Sequence, residues 1–401
     1  MAWHRLFLPF ACAYFFSYLF RTVTAVVGPI LSEELALGAA DLGLLTSTYF
    51  IAFGVAQLPL GMLLDRFGAR RVEAALLVAA AGGAAVFAGA ESIGGLAIGR
   101  GLIGLGVSAC LMGAFKSFSQ WFPPEKMPSL TGWVMAAGTF GAFVATVPLD
   151  LALQIFTWRH VFLMLSIITL LMSVWLYLGV PEKSGLPRPE SLSEQWAGIR
   201  QVLSSSHFWW VAPIGVAQIG GFMAVQSLWS GSWLIHVNDY SRTHAADHLA
   251  GMNMAMIFAY ALIGLVATRL AKRGITTLFL LAGGMAMALT MLALIVSEAT
   301  ATTIVLWSAY GAFSSVGTLS YALISSGFPT SLSGRVNTSY NFLCFAGAFA
   351  FQWGMGLAID LLRAHGHSMA SAHRFAFAAL IACQLAAWLW LVLGRKRLAI
   401  R

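Results

Sequence analysis

Twelve stretches of mostly apolar residues follow one another along this 401-residue chain, each close to the roughly 20 residues that carry a helix across a bilayer. They lie at 7–30, 41–64, 72–92, 95–120, 130–153, 160–180, 208–236, 249–270, 275–297, 301–327, 338–362 and 373–394. Inside hydrocarbon every backbone N–H and C=O must find a partner within the protein, so runs of this length are predicted to be helices. Only 9% of the residues are charged, against about 25% in soluble domains. That is too little to cover a water-facing surface, which excludes a soluble enzyme, a nucleic-acid binder and a disordered scaffold. The chain reads as an all-α, multi-pass integral membrane protein with the bilayer as its principal partner.

One polar stretch, 181–207, is long enough to divide the chain, and it leaves six spans on each side. The expected organisation is an N-terminal six-helix bundle (1–180), a linker (181–207) and a C-terminal six-helix bundle (208–401). Of the 23 Lys and Arg, four fall within or at the ends of spans (Arg21, Arg100, Lys116, Arg269) and four in loops on one side (Arg159, Arg242, Arg363, Arg374). The other fifteen lie on the side that holds the linker and both termini. Positive charge marks the cytoplasmic side, so both termini are expected in the cytoplasm and the protein in the inner (plasma) membrane. The net charge of +8 is thus a matter of topology. The first apolar stretch is too long and aromatic for a cleaved signal peptide and reads as a retained span. Cys12, Cys110, Cys344 and Cys383 stand isolated in apolar surroundings, where thiols act as small hydrophobes. No disulfide framework, metal site or cofactor is expected.

The two halves carry matching signals. Gly61-x-x-x-Asp65-Arg66 after the second span recurs as Gly264-x-x-x-Thr268-Arg269 after the eighth; Phe122-Pro123 recurs as Phe328-Pro329, and Gly141-Ala142-Phe143 as Gly347-Ala348-Phe349. Asp150 and Asp360 close corresponding helices. Near-constant offsets argue for a duplicated unit, and duplicated halves around a midplane site are the architecture of secondary transporters. No ATP-binding Gly-rich loop is present.

The turn between the second and third spans reads Gly61-Met-Leu-Leu-Asp65-Arg66-Phe-Gly68-Ala-Arg70-Arg71. Gly61 and Gly68 are expected to permit close backbone approach and a tight reversal, Asp65 to pair with a cation or cap the next helix, and Arg70 with Arg71 to anchor the turn at the cytoplasmic face. The bland alternative is a generic basic loop. The turn resembles the loop signature of the major facilitator superfamily, and Arg100-Gly-Leu-Ile-Gly104-Leu-Gly106, with Trp121-Phe122-Pro123 at the end of the fourth span, is similar to that superfamily's fourth-helix pattern. The resemblance implies twelve spans in two bundles, a conformational lock at Gly61, Asp65, Arg66, Gly68 and Arg70, and a packing or coupling role for Arg100.

Arg21 falls near the bilayer centre, where a charge is expensive and usually functional. Tyr14, Tyr18 and Arg21 share one helix face. Two readings stand: an anion-binding Arg, or a structural Arg paired with a carboxylate or with backbone carbonyls. Asp41, Glu91, Asp150, Glu298 and Asp360 sit at the outer ends of spans, and Asp65 and Glu73 at the inner. The stretch Phe15-Phe16-Ser17-Tyr18-Leu19-Phe20-Arg21 with Gly28-Pro29 is similar to the first helix of the organophosphate:phosphate antiporter and organic-anion symporter branches. There the matching Arg grips the substrate's phosphate or carboxylate, and Lys116 resembles a basic position of the same branch. Unlike the phosphate antiporters, residues 208–236 hold no Arg or Lys, which favours a single carboxylate.

Gln57, Gln226, Trp229, Asn341 and Gln352 extend the candidate substrate site, each weighed against a plain interhelical hydrogen bond; Gly231 is expected to let the seventh helix bend. The nine His fall near span ends or in loops, and no carboxylate is deep. A coupling proton would then travel with a weakly acidic substrate, unless Asp41 or Asp150 is wetted and titrates; anion exchange is the other route. The favoured reading is proton-linked uptake of a small organic anion by a monomer that is not an enzyme. Efflux of drugs or larger molecules by proton antiport is the alternative.

Overall fold

The computed structural model describes residues 2–122, 127–181, 192–273, 275–297, 303–329 and 332–394, and among them all regular structure is helical. Helices occupy all twelve apolar stretches. The first span is α1 (Ala2–Thr22) and α2 (Thr24–Leu35), bent 41° apart. The next two are α3 (Ala39–Phe67) and α4 (Ala69–Ala88). The fourth joins α5 (Ile93–Gly106) to α6 (Cys110–Trp121), the fifth α7 (Met127–Val144) to α8 (Val147–Leu153), and α9 (Trp158–Gly179) is the sixth. The second part of the linker forms α10 (Leu192–Leu203). Its residues 182–191 lie outside the described residues, as do Lys126 and the basic C-terminal tail used in the charge argument.

The seventh span is α11 (Ser206–Ile214), α12 (Gly221–Ala224) and α13 (Ser230–His236), joined by wider π turns at Gly215–Gly220 and Val225–Trp229. Then follow α14 (Arg242–Lys272), α15 (Thr277–Val296), α16 (Thr303–Ser314) and α17 (Leu319–Ser325), the last two joined by a 3-10 turn, then α18 (Ser333–Ala364) and α19 (Met369–Gly394). Among the described residues ten rods are long and apolar enough to cross a bilayer, and the bent first span makes an eleventh. The stretch 301–327 is not among them. Outward faces are apolar: Ile167, Leu171 and Leu178 of α9 all stand exposed, the pattern of a lipid-facing helix.

The repeated Gly-Ala-Phe has a packing cause. A side chain at Gly141 would meet the Phe15 carbonyl of the first span, and one at Gly347 the Val216 carbonyl of the seventh. The same motif therefore seats the fifth span on the first and the eleventh on the seventh. Gly68 carries the reversal between α3 and α4 with φ 80° and ψ 156°, a region close to glycine-only. Gly68→Ala is expected to lower stability by roughly 1–3 kcal/mol, read as a fall in the thermal unfolding midpoint; an unchanged midpoint would contradict this account. Gly61 differs from expectation, because no atom approaches the place of its missing Cβ. It makes no close backbone approach in this conformation.

The two halves meet along α3 and α18, which run antiparallel. A side chain at Gly43 would meet the Gln352 carbonyl, and a Cβ at Gly54 would lie 3.0 Å from the Phe345 side chain. The end opposite the α3–α4 turn, which the charge pattern predicts to be the outer one, is closed by two aspartates that each reach across to the other half. Asp360, ending α18, accepts the N–H of Ala39 (3.1 Å) and Ala40 (2.7 Å) at the start of α3. Asp150 of α8 accepts from Arg242 Nε (2.6 Å) and Thr243 Oγ1 (3.0 Å) at the start of α14. Asp360 takes the orphan N–H groups of a helix N-terminus, where the helix dipole also favours an anion, whereas Asp150 is held by side chains of the first turn of α14. Between them α2 meets α13 and the π turn before it: a side chain at Gly231 would meet the Ala25 carbonyl, and a Cβ at Gly28 would lie 3.1 Å from Leu228. Gly231 is thus a contact point, and the irregularity of the seventh span comes from its π turns instead.

Candidate functional site

The bend of the first span sets the site. Thr22 Oγ1 donates to the Tyr18 carbonyl at 2.9 Å, a back-bond that bends helices, and the break follows at Val23. Arg100 of α5, wholly buried, donates from Nη1 to the Phe20 carbonyl at 2.8 Å and lies 5.1 Å from the Tyr49 ring centroid. Arg100 therefore clamps the bend through Nη1, while its Nε and Nη2 have no partner.

Arg21 follows the clamped carbonyl and is 5% exposed. Its guanidinium carbon stands 4.4 Å from the ring centroid of Tyr18, 5.4 Å from Phe345 and 5.7 Å from Phe53. The Tyr49 hydroxyl, which donates to the Ser17 carbonyl at 3.2 Å, is also within hydrogen-bonding reach of Arg21. Arg21 Nε has no partner, and among the described residues no carboxylate pairs with Arg21. A buried charge without a counter-ion costs several kcal/mol, and a desolvated cation–π contact returns about 2 kcal/mol. The aromatic coat offsets part of that deficit and leaves an anion-shaped remainder.

A ring from each half closes over this cation, since Phe53 of α3 and Phe345 of α18 stack at 4.1 Å with planes 14° apart. Tyr14 and Tyr18 meet edge to face at 5.0 Å in the space that Gly138 of α7 leaves free. Tyr260 of α14 approaches both tyrosines.

The other expected residues divide. Gln226 donates to Asn253 Oδ1 at 2.9 Å, and Asn253 in turn donates to the Ala142 carbonyl of α7 at 3.3 Å. Trp229 Nε1 donates to the Gln352 carbonyl (3.1 Å) and Ser227 to Gln352 Oε1 (3.2 Å), leaving Gln352 Nε2 without a partner. Asn341 Oδ1 accepts from Tyr321 at 2.7 Å. Seven residues separate Phe345 from Gln352, about 10 Å along α18 on one face. Gln57 serves a different junction, donating to the Ser108 carbonyl at the α5–α6 break at 3.0 Å. Its Oε1 has no partner.

Lys116, expected at the substrate site, forms an ion pair with Asp65 in the α3–α4 turn. In the same turn Arg70 donates to the Val180 carbonyl at 3.2 Å, and Arg66 lies over the Phe67 ring.

Four titratable groups bear on how a proton could be coupled. Asp41 takes the Gly38 N–H at its own helix start, and Asp150 is buried in the outer contact. His373, near a span end, is nevertheless buried, with the Met369 carbonyl on Nδ1 (2.9 Å) and Ser232 Oγ on Nε2 (2.7 Å). Glu73, placed by sequence at an inner end, is wholly buried. Sequence reasoning missed Tyr49, Asn253 and Tyr260. Tyr49 had a usable signal, four residues before Phe53 and eight before Gln57 on one face.

A family model described as Major Facilitator Superfamily matches residues 10–352. The galacturonate transporter of Dickeya chrysanthemi is 25% identical over 211 residues, covering 49% of this chain and 61% of that protein. The hexuronate transporter of Escherichia coli (strain K12) is 31% identical over 148 residues, 36% of this chain and 34% of its own length. The matches thus span between a third and three-fifths of these curated relatives. Among solved structures, a bacterial homolog of the human lysosomal transporter Spinster superposes with a TM-score of 0.77 at 18% identity, over 98% of this chain and 97% of that one.

Proposed function

The chain belongs to the Major Facilitator Superfamily, a multi-pass transporter of the inner membrane rather than an enzyme, and we propose that it moves a small sugar-acid carboxylate by alternating access. In this reading residues 1–180 and 208–401 are the two six-helix bundles, 181–207 links them, and both termini face the cytoplasm. Arg21 takes the carboxylate. Phe53 and Phe345 part to admit it, and Tyr14 and Tyr18 line the adjoining wall.

The observation that carries the reading is Arg21, a buried guanidinium at the meeting of both halves with no acid beside it among the described residues. Guanidinium and carboxylate match as a two-pronged pair. A hexuronate anchored there extends its hydroxyls toward the free Gln352 Nε2, two turns beyond Phe345 on α18, with Gln226, Trp229 and Asn341 shaping the far wall. The names of the galacturonate and hexuronate relatives support that substrate class. Uptake is proton-linked, and one chain encloses one route.

Purified protein in liposomes tests this directly. Labelled D-galacturonate is expected to accumulate under an inward proton gradient, to be displaced by unlabelled hexuronates, and to be released by a protonophore. If neither D-galacturonate nor D-glucuronate enters or displaces the other, the sugar-acid reading is wrong.

A further inference from the structure

Among the described residues, Glu73 is a carboxyl fully withdrawn from solvent with no hydrogen-bond partner on either oxygen. It points from α4 into a niche on α6 that exists because residue 113 is glycine. Glu73 Oε2 occupies the place a Gly113 Cβ would take, and Phe10 of α1 stands 3.7 Å from that place. The Cys110 thiol, one turn before Gly113 on α6, lies close enough to interact with it. A carboxylate anion cannot rest in such surroundings without a counter-ion or donors, so the niche holds the neutral acid.

The charged groups on the helices around it are few and mostly engaged. On its own helix Arg70 binds the Val180 carbonyl and lies over the Tyr177 ring of α9, and Arg71 is exposed. Arg100 of α5 holds the Phe20 carbonyl, and Arg66 of α3 lies over Phe67. On α6 the cation is Lys116, one turn beyond Gly113 on the same face, and it is paired with Asp65.

We propose that Glu73 is a proton-binding site, and that release of its proton to water on the side of the α3–α4 turn draws Lys116 from Asp65 to Glu73. Two carboxylates then compete for one ammonium. Asp65 is 44% exposed and can be left to water, where an ion pair is worth little. Glu73 is buried, and there an unpaired charge costs far more. Protonation of Glu73 fastens the Lys116–Asp65 contact across the Gly61–Arg71 turn, and deprotonation frees it. This gives the proton-linked reading a titrating group away from Arg21, and it rests on that reading only for its role in transport.

Infrared difference spectra of the purified full chain in lipid nanodiscs, with no substrate present, test the titration. The wild type should show a carboxylic-acid carbonyl band that disappears from mildly acid to mildly alkaline buffer, and Glu73→Gln should lack that band. Lys116→Gln, which removes the acceptor cation, should retain it into more alkaline buffer. A band unchanged by pH, or equal in wild type and Glu73→Gln, overturns the proposal. In liposomes Glu73→Gln should still exchange labelled D-galacturonate but accumulate it about tenfold less under a proton gradient; full accumulation overturns the coupling role. Should the wild type not carry D-galacturonate, the sugar-acid reading fails while the infrared titration still decides on Glu73.

Discussion

Arg21→Ala is expected to abolish anion binding while leaving the empty protein at least as stable as the wild type. The two halves of that expectation come from the same geometry. Truncating one partner of a buried charge pair costs about 2–5 kcal/mol, which is roughly thirtyfold to several thousandfold in Kd. A ligand at a hundred times its Kd stabilises the folded protein by about 2.7 kcal/mol, so D-galacturonate should raise the unfolding midpoint of the wild type and leave that of the variant unmoved. Without ligand, Arg21 is a buried cation held by ring faces and the Tyr49 hydroxyl. Removing it deletes a desolvated charge that has no counter-ion. Arg21→Lys keeps the charge but loses the planar fork and should bind weakly. An empty Arg21→Ala protein markedly less stable than wild type would instead make this a structural arginine, the other reading its position allows.

The second large effect concerns the outer end. Asp150→Ala together with Asp360→Ala should shift the protein toward a state open on that side. Each aspartate holds two donors of the opposite half, and a hydrogen bond to a charged group contributes about 1.5–3 kcal/mol. Losing both aspartates therefore changes the balance by at least about 3 kcal/mol, on the order of a hundredfold in population. Spin labels on the loop after α2 and the loop after α18 would read it as a longer distance populated in the double variant. A single short distance in both proteins would show that the aspartates merely cap helices. The single variants should fall between, with Asp150→Ala also less stable because Arg242 loses its buried partner.

The spans, the duplication and the family signature were legible because each rests on a local rule: length against bilayer thickness, glycine where backbones touch, charge against the membrane side. Arg21 was legible for the same reason, as a charge where charge is expensive. Neighbours were harder. Lys116 and Gln57 lie on faces that helical geometry assigns correctly, yet that geometry does not say which helix each face meets. Lys116 meets Asp65, and Gln57 meets the carbonyl of a helix break. The seventh span hid its pattern further, because two π turns shift the register on which face predictions depend. Glu73 was misjudged because position along a span measures depth in the membrane, whereas its burial comes from a glycine forty residues away on another helix.

The reciprocal pattern of Asp150 and Asp360 makes the outer end resemble the isologous contact of a twofold dimer, in which surface i meets j and j meets i, here fused into one polypeptide. The two contacts lie on either side of the pseudo-axis, so breaking one leaves the halves able only to pivot about the other. Opening in full requires both to part, and a half-parted state keeps one aspartate engaged while gaining little passage. The outer end is thereby biased toward all-or-none behaviour, a property that belongs to neither half alone and arises from using the same half twice.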